Sequence, residues 1–519
     1  MHIPATTRRR GDPASRRARR APLAASAVLA VLVSACSGAK TSATPKSDAG
    51  DAAGPAARER PVGPAADLSE ELSGGNGPFI GAATGLAVPD RYVQGEYVAS
   101  GTATAYSAKG PLSEDGLWTF EPGTPAAYRT RILVRRPAKA ADSSGTVIVE
   151  WLNVSGGVDA NPDYASLEEE ITRQGHTWVG VSAQLIGVEG GPVLVKAPGV
   201  ENLVGKGLKT IDPARYGSLA HPGDGYSFDI FTQVTRALLK GGPALGGAKP
   251  RFALAAGESQ SALALTTYYD GVQPLTLAFD GFLVHSRASV SLPLVGPGAY
   301  ADLAAAIGGA KPALFRGDLD APVVELQAES DVTGILNSIA ARQPDSDRFR
   351  LWEVAGTSHA DVHLMGSIAD TLNCGVPINN GPMHLVAKAA LRGLNTWVKT
   401  GSRPPSALRL EVLDGADAAK PEIRRDGDGI AQGGIRTPPI DVPVDVLSGV
   451  AGPNPDLLCI LLGSTKPLAA DRLAKLYPTR ATYEQRYGAA ADAAIKAGFV
   501  LEPDRAALLA FSRPSRISP

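Results

Sequence analysis

Residues 251–265 constrain this chain more tightly than any other stretch. The apolar run Phe252-Ala-Leu-Ala-Ala256 leads directly into Gly257-Glu-Ser-Gln-Ser261, and Ala262-Leu-Ala-Leu265 follows. A short buried strand, a Gly-x-Ser-x-small turn and an apolar helix, in that order, hold a serine on a sharp bend with its Oγ clear of the top of a sheet. The bend brings backbone close to backbone, so the positions two before and two after the serine must be small. Gly257 meets that demand, and Ser261 stands where a second Gly is usual but is still small. An ordinary strand-to-helix loop that happens to contain serine is the alternative reading of the pentapeptide.

The surrounding sequence alternates in texture. Residues 92–106 and 128–134 are rich in Tyr, Val and Thr or alternate in polarity, which predicts antiparallel β structure in the N-terminal part. Residues 146–150 predict a buried strand, 164–174 a helix stopped by Gly175, and 178–182 the next strand. Such units with short turns produce parallel neighbours. Residues 185–224 carry many Gly and Pro without periodicity and read as an insertion over one sheet edge. Helical spacing returns at 226–240, with Phe231, Val234 and Leu238 on one face. Further strands are expected at 277–284, 323–327 and 350–354, separated by helical stretches at 300–307 and 335–342. With 519 residues, 44% apolar and 20% charged, the chain can bury a large core. The expected fold class is α/β: a doubly wound, mostly parallel sheet with an N-terminal β-rich part, an insertion and a C-terminal extension, forming one large domain over 71–519.

A hydroxyl is a poor nucleophile at neutral pH, so Ser259 needs an imidazole to take its proton and an acid to orient that imidazole. The strand at 350–354 runs into Ala355-Gly-Thr-Ser-His359, which makes His359 the expected base. His285, His363 and His384 read as structural. His359 and His363 have the spacing of a metal pair, but no third ligand follows nearby, and no metal or cofactor is expected. After the strand at 323–327, Glu329 and Asp331 are both within reach of the acid's place; the offset favours Asp331, with Glu329 the alternative. An oxyanion hole would take one donor from the backbone N–H of Gln260 and a second, Val154 or Asn153, from the loop Leu152-Asn-Val-Ser-Gly-Gly157.

Seven arginines precede an apolar run at 21–33, which ends in Val33-Ser-Ala-Cys36. This reads as a secretory signal over 1–35, with Cys36 as a lipidated new N-terminus; plain secretion is the alternative. Residues 36–70 are small and polar for most of their length and read as a flexible tether. Loss of 1–35 would remove seven Arg and one Asp, leaving 44 basic against 51 acidic side chains and a net charge of −7. Nothing in that balance points to nucleic acid. Two other cysteines, Cys374 and Cys459, remain in a disulfide-permissive compartment, so a bridge between them is expected, two free thiols being the alternative.

With these residues laid out, residues 88–510 resemble a family of exported bacterial and fungal proteins called α/β-hydrolase domain proteins. The resemblance rests on Gly95-Glu-Tyr97, Tyr128-Arg-Thr-Arg131, Val149-Glu-Trp-Leu-Asn-Val-Ser-Gly-Gly157, His221-Pro-Gly-Asp224, the elbow, residues 355–359 and Gly433-Gly-Ile-Arg436. It implies a Gly-x-Ser-Gln-Ser elbow, a serine hydrolase with Ser259 and His359 in its site, and a C-terminal extension over 425–510 carrying Cys459. A bridge to Cys374 would then fasten that extension beside the site. The expected function is a membrane-tethered hydrolase of small-molecule or lipid-like carboxylic esters working through an acyl-enzyme. The alternative is a surface lipoprotein that uses the fold for binding alone.

Overall fold

Eight strands form one mixed sheet in the computed structural model, which describes residues 59–196, 202–413 and 421–518. The expected signal segment 1–35, Cys36 and the part of the expected tether up to residue 58 lie outside the described residues. The strands are β1 (Tyr92–Ala108), β2 (Phe120–Pro137), β3 (Thr146–Trp151), β4 (Thr177–Val181), β5 (Phe252–Glu258), β6 (Gly281–His285), β7 (Val323–Ala328) and β8 (Phe349–Val354). Their order is β1-β2-β4-β3-β5-β6-β7-β8. The β1/β2 and β2/β4 pairs are antiparallel, and every pair from β4 to β8 is parallel.

Strand side chains alternate between faces, and this sorts the core into two layers. Val147, Val149 and Trp151 of β3 join Ala253 and Ala255 of β5 on one side, while Ile148, Leu254 and Ala256 point to the other. Helix α1 (Pro162–Arg173) covers the second side together with α4 (Met383–Thr400); α2 (Ser227–Lys240) and α3 (Gln260–Thr267) cover the first. Strands covered on both faces are mostly apolar, which is why β3 and β5 read as near-continuous apolar runs; the polar side chains Glu150 of β3 and Glu325 and Gln327 of β7 are buried with them.

The chain leaves β3 for β4 on one side and returns to place β5 on the other. That reversal opens a crevice beyond the C-terminal ends of β3 and β5, the place where doubly wound sheets bind ligands. The 152–157 loop and the serine turn both end there.

Several boundaries differ from expectation. The strand expected at 277–284 begins at Gly281, because Leu277 is left-handed (φ 45°) after a short helix at Gln273–Thr276, and the Asp280 carboxylate accepts from the Ala253 N–H at 2.9 Å. The helix expected at 335–342 shrinks to a 3₁₀ turn at Ser338–Ala341, since Asn337 is also left-handed. Within the stretch expected to be a tether up to residue 70, the Asp67 N–H donates to the Ser100 carbonyl, and just beyond it that of Leu72 donates to Glu96, so this part lies along β1. The insertion packs Val188, Leu208 and Tyr216 against Val98 of β1.

After α4 the extension contributes a two-stranded ribbon, β9 (Asp445–Ser448) with β10 (Ser464–Pro467), and helix α5 (Arg480–Lys496). Ala491, Ala494 and Leu508 enter the same core layer as Trp352 and Trp397. A disulfide joins Cys374 to Cys459. Among the described residues no helix is long and apolar enough to cross a membrane.

Candidate active site

Ser259 sits between β5 and α3 with φ 62° and ψ −120°, a conformation that non-glycine residues rarely adopt. Its N–H donates to the His285 carbonyl at 2.9 Å, which ties the turn to the end of β6. A Cβ on Gly257 would lie 3.0 Å from the Ser261 carbonyl carbon and oxygen and from a Leu265 methyl. Close approach across the bend therefore requires Gly257, and backbone strain of this kind collects at functional sites.

The structure brings Ser259, His359 and Asp331 together. His359 Nε2 is 2.8 Å from Ser259 Oγ, and its Nδ1 is 2.9 Å from Asp331 Oδ1. Asp331 is fully buried and its Oδ2 accepts the Ala328 N–H at 2.8 Å. The His359 N–H donates to Ser330 Oγ at 2.7 Å, and that of Ala360 to the Leu461 carbonyl of the extension at 3.2 Å. Burial opposes charge on the imidazole, but Asp331, bonded to it, and Glu258 outweigh burial and raise its pKa above the ordinary value. Glu329 faces elsewhere: it accepts from the Gly356 N–H at 2.7 Å and the Gly449 N–H at 2.9 Å and pairs with Arg425 at 2.5 Å. It fastens the extension to the loop that carries His359.

Both loop residues considered as oxyanion donors already donate their N–H, Asn153 to a backbone carbonyl and Val154 to a side chain. The Asn153 N–H is spent on the Ala160 carbonyl at 2.9 Å, which removes it as a donor, and its side chain donates to the Glu258 carbonyl at 3.0 Å. The Val154 N–H donates to Gln260 Oε1 at 3.2 Å. That amide's orientation follows from a donor-only group: Trp151 Nε1 donates to Gln184 Oε1, Gln260 Nε2 donates to the same oxygen, and Gln184 Nε2 donates to Asp224. Gln260 Oε1 is left facing Val154. The Gln260 N–H itself opens α3 and, like any first-turn N–H, has no carbonyl partner within its own helix.

The histidines read as structural are not equivalent. His363 Nε2 bonds the Ala165 carbonyl at 3.1 Å and its ring stacks on His384 at 3.8 Å, while both ring nitrogens of His359 face Ser259 and Asp331. His285 Nδ1 is 3.0 Å from Asp163 Oδ1 and 3.5 Å from Glu258 Oε2, all three side chains being buried. These are the only three His, Cys, Asp or Glu side chains among the described residues that offer atoms within 4.8 Å of one another in the manner of a metal site. The spacing about His285 Nδ1 is that of a ring N–H shared between carboxylates, and the set reads as an ionic cluster. Burial pushes Glu258 upward, while Glu258 and Asp163 overcome burial to raise His285. The sequence reading missed this cluster; its one local signal was a glutamate placed directly before the serine.

A family profile described as "Alpha/beta hydrolase domain" matches residues 59–510. No protein of curated function matches the chain. Solved structures with some likeness include a putative dienelactone hydrolase from Klebsiella pneumoniae, 13% identical, with a TM-score of 0.25 over 49% of this chain and 85% of its own. A Xanthomonas campestris a/b serine hydrolase described as lacking a lid is 12% identical, with a TM-score of 0.27 over 57% of this chain and 94% of its own. Carboxyl esterase 2 from Tuber melanosporum is 11% identical, with a TM-score of 0.28 over 61% of this chain and 92% of its own.

Proposed function

Because the chain belongs to the alpha/beta hydrolase domain family, we propose that it is a serine hydrolase that cleaves carboxylic esters through an acyl-enzyme on Ser259. The observation that carries this reading is the unbroken contact chain from Ser259 Oγ through His359 to Asp331, at 2.8 and 2.9 Å. In that chain His359 Nε2 accepts the Ser259 proton as Oγ attacks the ester carbon, and Asp331 holds Nδ1–H and balances the imidazolium. The carbonyl oxygen takes the developing negative charge and is met by the Gln260 N–H and by the Val154 N–H, the latter released when the Gln260 side-chain oxygen that accepts it swings aside; each such donor is worth about 3 kcal/mol. Collapse breaks the C–O bond, and His359 returns the proton to the leaving alkoxide. Water activated by the same imidazole then attacks the acyl carbon, releasing the acid and restoring Ser259.

Treatment of the chain with a fluorophosphonate, read by intact mass, tests this. The expected result is a single adduct on Ser259, absent in Ser259→Ala. A folded wild type that takes no label would overturn the reading and leave the alternative, a binding protein built on the hydrolase fold.

Export with a lipid anchor at Cys36 belongs to the same proposal and draws on the basic, apolar and small-residue order of residues 1–36. Its substrates would then be esters met outside the cytoplasm, small or lipid-like. Cys36→Ser should move the protein from the membrane fraction to the soluble one; unchanged partition would count against the anchor.

A further inference from the structure

We propose that Ser330 is a positioning residue that couples the base of the site to its acid: one hydroxyl, placed between His359 and Asp331, sets the distance at which the imidazole meets the carboxylate. The proposal rests on the hydrolase reading above and adds a residue to it.

Ser330 lies between Glu329 and Asp331 in the turn after β7. Its Oγ accepts the His359 N–H at 2.7 Å and donates to Asp331 Oδ1 at 3.3 Å. A hydroxyl carries one donor and two acceptor sites, so it serves both contacts at once. The carboxylate oxygen that it reaches is the one that meets His359 Nδ1 at 2.9 Å, while Oδ2 takes the Ala328 N–H at 2.8 Å. Both oxygens of Asp331 are thus fixed, and the hydroxyl that fixes Oδ1 also holds the backbone of the residue carrying the imidazole. Ser330 Oγ, the His359 backbone and ring, and Asp331 Oδ1 close a ring of contacts that a shift of either turn would open.

Other bonds between the two turns act further from the chemistry. The Glu329 N–H donates to Thr357 Oγ1 at 3.3 Å, and the Gly356 N–H donates to the Glu329 carboxylate at 2.7 Å. They join the turns two and three residues before the imidazole, whereas Ser330 acts at residue 359 itself. The extension seats this contact from outside. Gly449 follows β9 and Gly463 precedes β10; a Cβ on Gly449 would lie 2.8 Å from the Ser330 Cα, and one on Gly463 would lie 2.9 Å from the Ser358 Cβ. Bare backbone at the end of the ribbon therefore presses on both turns, and close packing leaves Ser330 little room to move. Without the hydroxyl, the His359 N–H and Asp331 Oδ1 each lose a partner and the imidazole can settle away from the line between Ser259 and Asp331. Ser330 touches neither of the oxyanion N–H groups, so its loss falls on the proton-transfer step rather than on substrate binding.

The test compares the full chain with Ser330→Ala and Ser330→Thr in two measurements. One is kcat and KM on p-nitrophenyl acetate, and the other is the proton NMR resonance of His359 Nδ1–H. Ser330→Ala should lower kcat by about tenfold with KM held within about twofold. Its Nδ1–H resonance should move upfield and broaden as the bond to Asp331 loosens. Ser330→Thr keeps the hydroxyl and should restore both. A folded Ser330→Ala with kcat within about twofold of the wild type, or with an unmoved Nδ1–H resonance, would overturn the proposal. A lowered melting temperature as the sole change falls in that class and would leave Ser330 a stabilising contact. A Ser330→Thr as slow as Ser330→Ala would overturn it too. If Ser330→Ala does not fold, Ser330→Cys, whose thiol fills the space with a weak hydrogen-bonding group, is read in the same way. If the wild type turns over no ester, the hydrolase reading fails separately, because the Nδ1–H resonance reports the coupling of acid and base without turnover.

Discussion

Glu329 and Asp331 stand two residues apart in the turn after β7 and serve different parts of the molecule. Asp331 Oδ1 is 2.9 Å from His359 Nδ1, whereas Glu329 pairs with Arg425 of the extension at 2.5 Å. Both lie in one short helical turn, Glu329–Val332, where positions two apart do not share a face. Asp331→Asn should therefore lower kcat by about 10³–10⁴-fold with little change in melting temperature. Glu329→Gln should keep the activity of the folded fraction but cost about 3 kcal/mol by stranding Arg425 beside a neutral partner. Steady-state kinetics and urea unfolding of both variants check the assignment; exchanged phenotypes would reverse it.

Acid stability should report on His176. Burial, with Lys399 and Arg392 nearby, depresses its pKa from 6.5 to about 3. Between those values the unfolded chain binds the proton and the folded one does not. The stability contribution is therefore full above about pH 6.5 and is lost as pH falls toward 3, by up to about 1.4 kcal/mol per pH unit. His176→Gln removes this linkage, so its unfolding free energy should fall less steeply between pH 6.5 and 4.5. Parallel slopes for the two proteins would show that His176 titrates alike in both states.

The Cys374–Cys459 bridge closes a separation of 85 residues, and the Leu461 carbonyl beside it accepts the Ala360 N–H next to His359. Reduction, or Cys374→Ser with Cys459→Ser, should cost about 3 kcal/mol of stability and lower activity together. Calorimetry with and without reductant, paired with an activity assay, tests it. Lost stability with unchanged activity would separate the bridge from the site.

Ser261 is fully buried and its Oγ has no hydrogen-bond partner among the described residues. A hydroxyl in that state is a cost, so Ser261→Ala should leave kcat within about twofold and raise stability by roughly 1 kcal/mol. A large drop in kcat would give Ser261 a role that its surroundings do not suggest.

How much was legible depended on whether the signal was local. The strand, Gly257, Ser259 and the apolar start of α3 are contiguous, and steric demand in a tight bend leaves few residue choices, so the turn could be read directly. His359 was legible because a small-residue loop follows an apolar strand. The second oxyanion donor expected from the sequence could be narrowed only to a loop, since the partners of the Asn153 and Val154 N–H groups, the Ala160 carbonyl and the Gln260 side chain, are set by tertiary packing. His285 looked like any histidine at a strand end. Its partners, Asp163 and Glu258, come from other elements, and only the β5/β6 register and the placement of α1 bring the three together.

The sequence by itself determined the alternation of strand and helix, the sharp turn at Ser259 and the order in which nucleophile, acid and base follow along the chain, because apolar periodicity and backbone sterics act over a few residues. Tertiary structure alone decided which carboxylate meets His359, where the Gln260 amide points and how the extension is fastened. Those outcomes depend on directions and distances between segments about 30 to 120 residues apart, set by sheet order and helix packing rather than by any residue's own preference.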